Sequence, residues 1–147
     1  MTTRLGVWSA ALLLAIATGA LAGCGGGSSG KKVNVSEVDY KIIPDATSVA
    51  AGKVTFKVTN NGTFTHEFVV DRAAGAASLP LKTDGEVNED KISDSNHLGE
   101  VEDIDPGKSK TLTVTMSAGK YVLFCNRVDG STSHFKSGMH TDFTVTS

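Results

Sequence analysis

Gly119-Lys120-Tyr121-Val122-Leu123-Phe124-Cys125 reads as a β-strand that ends on a cysteine. Ala118-Gly119 turns the chain into it, and Pro106-Gly107 marks another turn upstream. Between those turns Leu112, Val114 and Met116 alternate with Thr111, Thr113 and Thr115, the period-two pattern of a half-buried strand. Further back Val54, Phe56 and Val58 alternate with Thr55, Lys57 and Thr59 before Asn60-Asn61-Gly62 turns the chain. His66 to Val70 is the next strand, with Phe68 and Val70 on the side of His66. Val38, Tyr40 and Ile42 alternate with Asp39 and Lys41 until Pro44-Asp45, and Leu98 to Ile104 and Asp142 to Thr146 add strands, the last with Phe143 and Val145 inward. Ala73 to Asn96 is irregular. About seven or eight short strands in roughly 115 residues, with no amphipathic helix to compete, predict an all-β, two-sheet Greek-key sandwich. A domain of this size buries an adequate core without disulfides.

The strands occupy residues 33–147, and the N-terminal part has another character. Residues 1–23 read as a signal peptide: Arg4 is the one charge, and an apolar run from Leu5 to Leu21 follows. The run ends in Leu21-Ala22-Gly23-Cys24, which resembles the lipobox of bacterial lipoproteins. That resemblance implies cleavage before Cys24 and lipid on its sulfur and amino group. An uncleaved membrane anchor is the alternative, since the run approaches the length of a membrane span; the small-residue finish favours cleavage. Both place the C-terminal part outside the cytoplasmic membrane. Residues 24–32 (Cys-Gly-Gly-Gly-Ser-Ser-Gly-Lys-Lys) form a lipidated cysteine and a flexible linker.

The chain has two cysteines, so lipidation of Cys24 leaves Cys125 alone and excludes an intrachain disulfide in the mature protein. A single thiol in an exported, oxidising setting needs protection, a metal or a chemical role. Beyond Cys125 lie His134 and Met139, and a thiolate, an imidazole and a thioether make a soft ligand set. One further imidazole, for which His66 is the candidate, gives the His₂Cys set with a long axial Met that copper uses in electron transfer. Each residue alone has a plainer role: Cys125 as a small buried hydrophobe, His66 as a core histidine, Met139 as packing like Met116. Their order after a strand and around a glycine-containing loop favours one shared site. His140 and His97 read as surface residues.

Charge excludes little else. Loss of residues 1–23 removes Arg4 and no acid, leaving 13 basic against 16 acidic residues, and nothing points to nucleic acid. Ten of the acids lie between Asp71 and Asp105 with three Lys or Arg, which reads first as a solvated loop face and second as a docking surface for a basic redox partner.

Three segments carry a family resemblance. Ala50 to Gly62 followed by His66-Glu67-Phe68, then Asp103-Ile104-Asp105-Pro106-Gly107, then Gly119 to Asn126 with His134-x₄-Met139 and a closing strand, resemble the small cupredoxins of the plastocyanin and auracyanin kind. The resemblance covers essentially all of residues 33–147. It implies a type 1 copper protein with one copper ion held by His66, Cys125, His134 and Met139, and with the outer imidazole, His134, as the exit for electrons. Two features depart from the pattern. Eight residues, Asn126 to Ser133, separate Cys125 from His134. That is similar to the electron-transfer site of copper nitrite reductases, where plastocyanin-like sites have two. Glu67 stands where plastocyanin-like proteins carry Asn, which bears on hydrogen bonding at the thiolate.

The function expected is therefore a membrane-tethered, non-enzymatic carrier of single electrons, monomeric, serving an unidentified extracytoplasmic redox protein and anchored through Cys24 to the outer face of a membrane. Copper storage or delivery to an extracytoplasmic cuproenzyme is the alternative, although delivery sites usually carry several Met and His in an open arrangement. Multicopper enzymes place a bridging His beside the Cys; here the neighbours are Phe124 and Asn126.

Overall fold

The computed structural model describes residues 30–147 of the chain. The signal peptide expected over 1–23, Cys24 and the expected linker up to residue 29 lie outside the described residues.

Eleven strands follow one another: β1 (Lys31–Val38), β2 (Lys41–Pro44), β3 (Ser48–Ala50), β4 (Gly52–Asn60), β5 (His66–Arg72), β6 (His97–Ile104), β7 (Ser109–Met116), β8 (Gly119–Phe124), β9 (Val128–Asp129), β10 (Thr132–Ser133) and β11 (His140–Thr146). Nine of them build two sheets, in the orders β2-β1-β4-β7 and β3-β11-β8-β5-β6. The chain crosses between sheets after β2, β3, β4, β6 and β7, which gives the expected Greek-key sandwich. β1 runs parallel to β4 and β11 parallel to β3; the other pairings are antiparallel. β9 and β10 form a small separate hairpin.

Alternation fixes which side chains meet. Val54, Phe56 and Val58 of β4 point inward and meet Phe68 of β5 and Phe143 of β11; the Phe56 ring lies 5.4 Å from Phe68 and 5.6 Å from Phe143. Such offset and edge contacts suit the charge distribution of aromatic rings. β8 is buried on both faces. Tyr121, Leu123 and Cys125 join the core between the sheets, while Val122 and Phe124 face a second apolar cluster with Leu79, Val87 and Phe135. The irregular segment between β5 and β6 thus covers the outer face of the larger sheet. It contains two short 3₁₀ turns and a Leu81–Val87 bridge.

The structure differs from the sequence reading in two places, one of them beside the candidate site. The alternation of Val38, Tyr40 and Ile42 is not one strand: β1 ends at Val38, Asp39-Tyr40 makes a tight turn, and β2 pairs back onto β1. Tyr40 takes a positive φ of 63°, a conformation that costs a non-glycine residue about 1–2 kcal/mol. Four hydrogen-bonding groups compensate around that turn, since Asp39 accepts bonds from Thr63 N–H (2.8 Å), Thr63 Oγ1 (2.7 Å) and Phe64 N–H (3.3 Å) while Asn61 N–H bonds Glu37 O (2.7 Å). β1 also starts at Lys31, two residues before the expected boundary, with Lys31 Nζ bonded to Ala51 O at 2.9 Å.

Candidate metal centre

β5 and β8 are antiparallel neighbours in the larger sheet, with Val69 opposite Phe124. This register brings the start of β5, His66, beside the residue after β8, Cys125. The loop from β8 to β11 then folds over both. Cys125 N–H bonds Met139 O (3.0 Å), Met139 N–H bonds His134 O (3.0 Å) and His134 N–H bonds Arg127 O (2.9 Å). The long insert is therefore a laced hairpin whose ends carry the candidate ligands.

His66, Cys125, His134 and Met139 are all fully buried. His66 Nδ1 lies 3.2 Å from His134 Nδ1, and Cys125 Sγ lies 3.4 Å from His134 Nδ1. The three donor atoms all fall within 4.8 Å of one another. Met139 packs in the core cluster that contains Cys125. The structure thus brings together the three strong donors expected from the sequence and seats Met139 in the same corner.

The surroundings hold these side chains with single orientations. Cys125 Sγ accepts a hydrogen bond from Glu67 N–H at 3.4 Å, a backbone bond that does not depend on the residue-67 side chain. Burial pushes the Cys125 thiol up to about 12, against the lowering effect of the Arg127 and Glu67 N–H groups. The thiol is therefore neutral until a metal displaces its proton. Burial, and next the facing His134, hold the His66 imidazole below its usual range, while Asp39 pulls the other way. Two imidazole nitrogens and a sulfur converge here with no salt bridge among them, an arrangement that a cation between them would relieve.

Each imidazole has a carboxylate on its outer side. Asp129 Oδ2 lies 3.0 Å from His134 Nε2, and Asp39 Oδ1 lies 3.4 Å from His66 Nε2. The Thr63 hydroxyl, with the Thr63 and Phe64 N–H groups, holds Asp39 below the ordinary carboxylate range. Asn60 fixes the turn that leads to His66, donating to Phe64 O (2.7 Å) and Ile104 O (2.6 Å) and accepting from Gly62 N–H (2.8 Å). Gly62 has no substitute there, because a Cβ would meet the Asp39 carboxylate and stand 3.0 Å from His66 Nε2. On the other side of Cys125, Asn126 Oδ1 accepts from Val87 N–H (2.6 Å) and its Nδ2 donates to Val87 O (3.1 Å) and Glu89 Oε1 (2.8 Å).

The residue expected as the exit for electrons is enclosed. The His134 ring has no exposed surface; Tyr40 meets it edge-on at 5.4 Å and Phe64 at 6.1 Å, and Phe64 is itself 41 % exposed. Asp129 of the eight-residue insert and Tyr40 of the Asp39-Tyr40 turn both stand against this ring. His140 is half-buried against Phe135 (4.8 Å), and His97 is tied to the buried Asp71 at 2.9 Å, so neither is a free surface histidine. Asp39, Tyr40, Asn60, Phe64, Asn126 and Asp129 all shape the site and were not among the sequence candidates. For Asp129 the length of the insert was the available signal; for Asp39 and Tyr40 the period-two pattern hid the turn.

An antiparallel-rich sandwich with a closed, soft-donor site at one end defines a class, the β-sandwich metalloproteins. Comparison narrows it. The sequence profile of the cupredoxin-like domain matches residues 8–134, and the chain belongs to that family. No curated protein sequence matches it. Among solved structures it is similar to dithionite-reduced auracyanin from the photosynthetic bacterium Roseiflexus castenholzii (TM-score 0.60, 21 % identity, 80 % of this chain and 98 % of that one). It is also similar to auracyanin A, a "blue" copper protein from Chloroflexus aurantiacus (TM-score 0.52, 20 % identity, 78 % and 97 %). Rusticyanin from Thiobacillus ferrooxidans is a third (TM-score 0.53, 18 % identity, 80 % and 79 %).

The cofactor of this family is one copper ion, and the residues present fit it. Imidazole and thiolate donors hold a first-row ion at about 2.0–2.3 Å, so three donors around it stand roughly 3.5–4 Å apart. The separations of 3.2 and 3.4 Å need only a small expansion. The donor types, two imidazoles and a thiolate, are those that suit copper.

Proposed function

We propose that the protein is a type 1 copper electron carrier in which His66 Nδ1, His134 Nδ1 and Cys125 Sγ would hold the ion strongly and Met139 would be a fourth, weaker ligand. The convergence of the three strong donors in a fully buried pocket carries this reading. Bound copper supplies a one-electron couple at this position. The chain supplies the rest. Cys125 gives up its proton on binding, and the Glu67 N–H stabilises the resulting sulfur charge. The hydrogen bonds among Cys125, Arg127, His134 and Met139 hold the donors in one arrangement for both oxidation states. The apolar core excludes water and competing ligands, which favours simple electron exchange over catalysis; the protein is a carrier and not an enzyme. Copper delivery requires ligand exchange at an open face, and the enclosed donors disfavour it.

Phe64 and Tyr40 form the outer cover of His134, and electrons pass to a docked redox protein across that cover. Export by the N-terminal signal and a lipid on Cys24 would tether the domain to the outer face of a membrane through the linker; a Cys24→Ser variant then appears in the soluble extracytoplasmic fraction. Among the described residues no helix is long and apolar enough to cross a membrane. Repeated cycles of ascorbate reduction and ferricyanide oxidation of the copper-loaded protein test the carrier function. Full recovery of the oxidised spectrum without copper loss is expected, whereas release of copper on each reduction would favour delivery.

A further inference from the structure

The insert between Cys125 and His134 has a defined shape. β9 and β10 pair with Asp129 opposite Thr132 and Val128 opposite Ser133, and Gly130 makes the turn with φ 63°. Ser133 Oγ fastens the hairpin to Gly85 O at 2.7 Å. Arg127 flanks it, 3.0 Å from Asp103 Oδ1 and 3.8 Å from Asp129 Oδ1. The result is that the other oxygen, Asp129 Oδ2, sits 3.0 Å from Nε2 of a ring that is otherwise sealed in the core.

We infer that Asp129 is a positioning residue that sets the tautomer of His134 and the reduction potential of the site. The inference deepens the copper reading of the same residues and rests on it. A carboxylate only accepts hydrogen bonds, so His134 Nε2 carries the proton and Nδ1 keeps its lone pair. Nδ1 is the nitrogen that faces Cys125 Sγ and His66 Nδ1. The same bond makes the imidazole a stronger donor and adds negative charge beside the ion, and both effects favour Cu(II) over Cu(I). Asp39 stands similarly toward His66 but at 3.4 Å, with Nε2 making no hydrogen bond, so its contribution is smaller. The ligand loop is therefore long for a reason: two residues could close the ligand set, whereas a hairpin is needed to bring a carboxylate onto the outer nitrogen.

The test uses the whole protein and three variants, Asp129→Asn, Asp129→Ala and Asp129→Glu. The Asn variant keeps shape and an accepting oxygen but removes the charge; it should alter the Cu(II)/Cu(I) affinity ratio about tenfold, a rise in potential of about 59 mV for a one-electron couple. The Ala variant should raise it at least as far, and Glu should return it toward the wild-type value. In the metal-free protein, ¹⁵N NMR of the His134 ring should show the Nε2–H tautomer in the wild type and a mixture in Asp129→Ala. A hairpin that is merely structural would change thermal stability and leave potential and tautomer alone. If Asn and Ala both keep the potential within about 18 mV, a twofold ratio, with the His134 tautomer unchanged, the inference is overturned. Should Ala fail to fold, the isosteric Asn variant decides. A wild-type protein that takes no copper would sink the carrier reading, and the metal-free NMR comparison would still decide whether Asp129 positions the ring.

Discussion

The two faces of β5 meet opposite fates. On the inner face His66, Phe68 and Val70 look into the core, beside Cys125, His134 and Met139. On the outer face Glu67, Val69 and Asp71 alternate with them, and the carboxylates of Glu67, Glu89 and Glu100 come within 4.8 Å of one another. One residue joins the faces: Glu67 gives its N–H to the Cys125 sulfur while its side chain belongs to the acidic cluster. Both faces penalise charge, for different reasons. Inside, burial first, with a smaller push from the Glu37 and Glu67 charges, keeps the thiol neutral near 12. Outside, burial first and then Glu100, Glu89 and Glu102 push Glu67 up to about 8. The inner penalty is lifted when a soft cation arrives, and the outer one when protons do. A soft, apolar pocket and a hard, acidic surface are thus kept apart by the period-two geometry of one strand.

The sharpest way to break this contrast is to remove the inner sulfur. Cys125→Ser should abolish the thiolate-to-copper absorption while leaving the outer carboxylates untouched; a surviving colour would show that another group holds the metal.

Glu37 comes next, because it lies on the inner side without a partner. It is fully buried, both oxygens lack hydrogen bonds, and burial followed by the charge of Glu67 pushes it from 4.5 to about 8. A raised carboxyl favours the folded state at low pH. Its contribution is complete below about 4.5 and is lost as pH rises through about 8, by no more than about 1.4 kcal/mol per pH unit. Glu37→Gln should therefore flatten the fall in stability between pH 5 and pH 8 and gain about 2–3 kcal/mol at pH 8, read by chemical denaturation. An unchanged pH profile would mean that Glu37 finds a partner in solution.

Asn126 tests the link between Cys125 and the segment that roofs the outer face. Asn126→Ala leaves Val87 N–H and C=O without their partner and should cost about 1–3 kcal/mol. The absorption should persist with reduced intensity or a small shift. Glu67→Gln gives the smallest effect. Its carboxyl follows the same sign as Glu37 but is only partly buried and so better screened, so the gain at pH 8 is about 1 kcal/mol, with the spectrum unchanged because the N–H to sulfur remains. A large spectral change would mean that the side chain, and not the backbone, governs the thiolate.

Much of the frame was legible in the sequence. The alternations at Val54–Thr59 and Leu112–Met116 gave strands because a half-buried strand requires them, and Cys125, His66, His134 and Met139 stood out by chemistry and order. The misses have physical causes. Val38-Tyr40-Ile42 alternates as a strand does, yet Asp39 forms a turn through bonds to Thr63 and Phe64, which are distant in sequence. Glu37 occupies an inward position of β1 after Val33 and Val35, where no pattern rule expects a carboxylate. The β9–β10 hairpin comprises two residue pairs, too short for any periodicity, and its purpose appears only when Asp129 is seen against His134.

Titration of the metal-free protein with Cu(II), followed by visible absorption and then by addition of ascorbate, tests the central claim most directly. One equivalent of copper should produce an intense blue or green thiolate band that bleaches on reduction. A colourless protein, or one that takes only Cu(I), would contradict it.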